Sequence, residues 1–120
     1  MTETLTRPKP RIDDPQELDR MVRQIVERVD PVAIYLFGSR ARGDADAGSD
    51  YDLLIVVPDD FPAGEANSRT AFQCVQGRRI PMDVAMIRQS RFRERSGQIG
   101  TLSHQVRKDG ILLHERVDRS

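Results

Sequence analysis

The stretch VAIYLFGSRARGDADAGSDYDLLIVV, Val32 to Val57, decides the reading of this chain. It holds two apolar runs, VAIYLF and DLLIVV, joined by a small, polar linker. Each run is rich in β-formers and almost free of polar residues, as buried strands are. Gly38 ends the first and Pro58 closes the second. Residues 38–49 carry Gly38, Gly43 and Gly48 and read as loop, with one helical turn near Ser39–Arg42. Asp50 and Asp52 stand at the mouth of the second strand. Aspartate is a poor strand former and costly to bury unpaired, so the pair implies a positive group between them.

Working outward, the spacing predicts a helix over residues 15–29. Asp14 is a suitable N-cap, Pro15 fits the first helical position, and Glu17 completes a capping-box pattern. Leu18, Met21, Val22, Ile25, Val26 and Val29 then form one apolar face, and Pro31 stops the helix. Residues 1–13, with Pro8 and Pro10 and no periodicity, read as a flexible arm ahead of a single domain over 14–117. Beyond the second strand, PDDFPAGE is a turn region. A helix is expected over 65–76, with Ala66, Ala71, Phe72 and Val75 inward and Gly77 as its stop. Ile80 to Ile87 reads as a third strand with Pro81 near its start and Asp83 inside it. RQSRFRERS, 88–96, reads as a short exposed helix. Ile99, Leu102 and Val106 repeat at helical spacing, and ILLHE, 111–115, is a last strand. The order predicts an α/β fold of the α+β type, with helices on a mixed sheet of about four strands.

The 120 residues suit one domain with one modest core. Acids and bases balance at 19 each, so net charge implies no nucleic-acid partner. With few aromatics and no Trp, a stacking platform for single strands is not expected. Cys74 is the one cysteine, so no internal disulfide forms. No Cys/His constellation suggests zinc, and His104 and His114 read as structural or exposed. No apolar run approaches the ~20 residues of a membrane span. The polar N-terminus lacks a secretory h-region, and a soluble cytoplasmic protein is expected.

Side chains alternate along a strand, so Asp50 and Asp52 share a side, with Cα atoms ~6.6 Å apart. Two such carboxylates can converge on a hard cation; Mg²⁺ takes one or two carboxylates with phosphate oxygens and water. Asp83 becomes a third member if its strand neighbours that of Asp52. Three acids around divalent ions suit in-line phosphoryl or nucleotidyl transfer. Gly38 allows close backbone approach, and amides there with the Ser39 hydroxyl can cradle phosphate. Arg40 and Arg42 could add charge-assisted bonds to a triphosphate. Read singly, both arginines are ordinary surface residues.

Gly38-Ser39, ten intervening residues, then Asp50-Tyr51-Asp52 resemble the GS-x10-DxD motif of the DNA polymerase β-like nucleotidyltransferases. FGSRARGDADAGSDYDLLIVV is similar to their minimal nucleotidyltransferase (MNT) branch, and the resemblance runs from about residue 15 through VRKDGILLHE. It implies Mg²⁺-dependent transfer of a nucleoside monophosphate from an NTP, with ATP the expected donor, to a hydroxyl. Asp50 and Asp52 would bind metal. Asp83 would bind metal and help activate the acceptor. Gly38 and Ser39 would hold the triphosphate, and Arg40 and Arg42 occupy the arginine positions of the MNT loop. Stand-alone MNT chains are often antitoxins that attach AMP to a HEPN-domain RNase, which makes such a toxin the expected partner. A steric, non-catalytic antitoxin is the alternative. Another is transfer to a small molecule or RNA end, with the acceptor site at a homo-oligomer interface. The basic run Arg88, Arg91, Arg93 and Arg95 reads as a solvated face, or as a docking surface for an acidic partner or RNA.

Overall fold

In the computed structural model, which describes residues 9–117, Asp14 opens α1 (Pro15–Val29) as its sequence predicts. Its carboxylate accepts the Glu17 N–H at 3.0 Å, and Pro15 needs no such partner. The reciprocal half of the capping box does not form. Glu17 is buried and turns to Arg20 through two 2.8 Å bonds and to the Arg79 N–H at 2.6 Å. The Arg20 guanidinium, foremost, holds this carboxyl below its usual range.

The elements β1 (Ala33–Phe37), α2 (Gly38–Arg42), β2 (Tyr51–Val57), α3 (Ser68–Gln73), β3 (Met82–Arg88), α4 (Gln89–Ser96), α5 (Leu102–Asp109) and β4 (Ile111–Glu115) follow. The strands form one mixed sheet in the order β3-β2-β1-β4. β1 pairs antiparallel with β2 and β4, while β2 and β3 run parallel. A parallel pair needs a crossover, and α3 lies on it. The four-stranded mixed sheet with packed helices is the architecture expected from the sequence.

The strands sort their side chains onto two faces. Ile34 and Leu36 of β1, Leu53, Ile55 and Val57 of β2, and Val84 and Met86 of β3 meet the Leu18, Met21, Val22 and Ile25 stripe of α1. Fully burying each large aliphatic residue contributes roughly 1.5–3 kcal/mol. Ala33, Leu54 and Val56 point the other way, toward Val106 of α5 and Phe92 of α4. Phe92 stacks on Tyr35 with ring centroids 5.5 Å apart. Asp52 and Asp83, at even and odd positions of β2 and β3, belong to this second face.

Four expectations change. β3 starts at Met82, not Ile80, because Pro81 has no N–H for the ladder; its carbonyl instead accepts the Tyr51 N–H at 2.9 Å. The helix expected over 65–76 shrinks to Ser68–Gln73, opened by the Asn67 side chain accepting from Thr70 N–H. Ile99 does not join the helix of Leu102 and Val106: it is 88% exposed, Gly100 follows with φ +94°, and Thr101 caps α5. Residues 1–8 of the expected arm lie outside the described residues. Residues 11–13, however, are docked. Arg11 N–H donates to Arg40 carbonyl at 2.9 Å, Ile12 packs on the core and Asp13 pairs with Arg40. Among the described residues, no helix is long and apolar enough to cross a membrane.

Candidate active site

β1 delivers the chain to Gly38 at the edge of the second face. Gly38 has φ +75°, and a Cβ there would lie 2.1 Å from Asp52 Oδ2. Only glycine meets both conditions. The contact follows from register, since Phe37 pairs with Asp52 across the antiparallel ladder. α2 begins at Gly38 with no side-chain cap on its first amides. Ser39 is half-buried, and its hydroxyl makes no hydrogen bond among the described residues. The Gly-Ser backbone and the Asp52 carboxylate thus share one place.

On the other side of Asp52 stands β3. Asp52 and Asp83 are directly paired in the parallel register, so their side chains leave the same face of adjacent strands. Asp50 precedes β2 by one residue, and Tyr51 between the two acids turns into the α1 face. Burial pushes Asp52 up to about 6; the negative charges of Asp83 and then Asp50 act the same way, and Arg42 opposes them. Arg42 is exposed, pairs with Asp44 at 3.2 Å and keeps its charge near Asp52.

Arg40 goes elsewhere. It is 1% exposed, and its guanidinium donates to Ser49 and Arg11 carbonyls and to Asp13 Oδ2, all at 3.0 Å, and to the Ala47 carbonyl at 3.2 Å. Its face lies 4.0 Å from the centroid of the Tyr51 ring. With four donors spent on the protein, Arg40 is no triphosphate ligand. It braces the loop that ends at Asp50. The Tyr51 hydroxyl accepts the Asp13 and Asp14 amides at 2.9 and 3.1 Å, tying the start of α1 to the same brace. Arg40 in turn holds the Asp13 carboxyl below its usual range. Sequence reasoning missed Asp13 and Tyr51. The alternation that puts Asp50 and Asp52 on one face puts Tyr51 on the other, and that was the available signal.

The site therefore gathers Gly38, Ser39, Arg42, Asp52 and Asp83 directly, with Asp50 contributing its charge from the loop. Among the described residues, no three acidic, histidine or cysteine side chains are arranged as a metal cage. Of the three carboxylates expected to share one point, Asp52 and Asp83 are register partners, and Asp50 stands near enough for its charge to act on Asp52. That set still fits a hard divalent cation, which needs one or two carboxylates and takes phosphate oxygens and water for the rest. A cation held there would offset the burial and the like charges that raise the Asp52 carboxyl.

Known proteins share the family and the fold of this chain. The family model described as "Nucleotidyltransferase domain" matches residues 18–109. A crystal structure of a "putative nucleotidyltransferase" from Sulfolobus solfataricus is similar in fold, with a TM-score of 0.57 and 23% identity over 84% of this chain and 79% of that one. No curated protein matches the sequence. The matched segment contains every candidate site residue from Gly38 to Asp83 and covers most of the chain, which therefore belongs to the nucleotidyltransferase domain family.

Proposed function

We propose that the protein transfers AMP from ATP, with Mg²⁺, to a hydroxyl of a partner protein, and that it serves as the antitoxin of a HEPN-type toxin. The observation that carries the reading is the Asp52 carboxylate wedged between Gly38 and its register partner Asp83. Asp52, Asp83 and Asp50 would hold the metal, whose positive charge offsets that of the triphosphate. Amides at Gly38 and Ser39, with the Ser39 hydroxyl and Arg42, hold and orient the phosphates. The acceptor oxygen attacks the α-phosphorus, the bond to the β-phosphate oxygen breaks, and pyrophosphate leaves. The hydroxyl proton passes to Asp83.

The test is incubation with α-labelled ATP, Mg²⁺ and the HEPN-type product of a neighbouring gene. Label is expected on the partner, with at least a hundredfold loss in Asp52→Asn and Asp83→Asn and a clear loss in Gly38→Ala, whose methyl displaces Asp52. No transfer, or transfer that survives Asp52→Asn, overturns the reading. The second reading is steric neutralisation without catalysis. Full protection of cells by Asp50→Ala with Asp52→Ala would select it.

A further inference from the structure

A groove of about 210 Å³ runs beside the paired aspartates on the same sheet face, between the sheet and the α4–α5 corner. Leu54, Ala85 and Ile87 form its floor, with Arg91, Arg95 and Leu102 along its sides. Leu54 and Ala85 come two residues after Asp52 and Asp83 on their strands, so the floor begins about 7 Å from them at ~3.4 Å per residue. Arg91 and Arg95 are exposed and stand one turn apart on α4, and their guanidinium groups have no hydrogen bond or ion pair among the described residues. The other members of the basic run are differently engaged. Arg88 donates to Asp59, Phe61 and Pro62 carbonyls, and Arg93 lines separate grooves beside Tyr35.

We propose that this groove docks an acidic segment of the protein acceptor: an apolar side chain lies on Leu54, Ala85 and Ile87, its carboxylates meet Arg91 and Arg95, and the neighbouring hydroxyl points to Asp52 and Asp83. The volume is below the roughly 300–1,000 Å³ of small-molecule sites. It suits one or two side chains, not a second nucleotide. Cations at one end and carboxylates at the other fix the direction in which a chain can lie, because reversal sets acid against acid. Exposed Leu102, and Ile99 three residues before it, extend the apolar contact past the groove. RNA is the weaker occupant. The aromatic ring of α4 is already stacked on Tyr35, leaving no platform for a base, and a chain of zero net charge gives a polyanion little long-range attraction.

The inference rests on the nucleotidyl-transfer reading for its orientation, and its test separates the two. The probe is a short fluorescent peptide of glutamate and leucine around one tyrosine, against a copy with lysine for glutamate and against oligoadenylate. The Asp52→Asn protein is expected to bind the acidic peptide at least tenfold more tightly than the other two, with NMR shifts at Ala85, Ile87 and Leu102. Arg91→Glu with Arg95→Glu should abolish the preference, Arg91→Lys with Arg95→Lys should keep most of it, and Ala85→Leu should weaken binding by filling the floor. In the active protein the charge reversals should raise KM for the peptide and leave kcat and ATP affinity unchanged. Equal binding of both peptides, tighter binding of oligoadenylate, or indifference to the charge reversals overturns the proposal. Groove-dependent binding without label transfer supports it while counting against the catalytic reading.

Discussion

Two neighbouring segments of similar length, 33–57 and 58–79, are held in place by different forces. The first buries two strands between helices on both faces and pins its loop with one buried arginine. The second buries little beyond Ala71, Cys74 and Val75. It is tied from outside by the polar side of α1. Gln24 donates to Cys74 and Gln76 carbonyls, both at 2.9 Å, Arg28 to Gln73 at 3.2 Å, and Arg20 to Gly77 at 2.7 Å. The apolar poverty of this segment reads in isolation as looseness. Its order comes from backbone carbonyls that meet side chains about 50 residues away. Segments without a core contribution can still be fixed, provided a neighbouring helix supplies the donors.

The sharpest way to break the contrast is Arg40→Ala. It leaves the Ser49, Arg11 and Ala47 carbonyls without their donor and empties the space over Tyr51, while half-exposed Asp13 keeps Arg11; a loss of about 2–3 kcal/mol in urea unfolding is expected. Asp52→Asn should act in the opposite direction. A carboxyl raised from 3.8 to about 6 binds more protons in the folded than in the unfolded chain between those values. Wild-type stability therefore falls as pH climbs through that window and stays level above it. At roughly 1.4 kcal/mol per unit, reduced by partial solvation, the variant should be about 1–2 kcal/mol more stable than wild type at pH 7.5. Little difference is expected below pH 4, and denaturation at both pH values checks it. Gln24→Ala should be the mildest, costing about 1 kcal/mol. Its signature is faster amide exchange confined to residues near 74–77, with β1 and β2 unchanged.

The same contrast explains what the sequence disclosed. Apolar runs and an amphipathic stripe mark elements that are buried, so α1, β1, β2 and β4 lay within about one residue of their expected limits. Asp83 inside an apolar strand was a legible conflict, and its register with Asp52 resolves it. Arg40 was misread because three of its partners are carbonyls, which leave no trace in residue identity, and its carboxylate partner, Asp13, lies 27 residues away. Glu17 likewise carried a capping-box spacing whose partners turned out to be Arg20 and Arg79. Ile99 followed a helical period, but the Gly97 to Thr101 turn breaks the helix that the period needs. Long-range polar contacts and turn geometry decide these cases, and neither has a periodicity.

One consequence lies in the parallel rung that sets Asp52 beside Asp83. The spacing of the two carboxylates is a property of the ladder, independent of the length of peptide between them. Gly64, with φ +80° and open space around it, marks a point on that connection where extra sequence would meet no obstruction. A reporter domain spliced there could vary in size while the rung, and with it the reacting geometry, kept its dimensions.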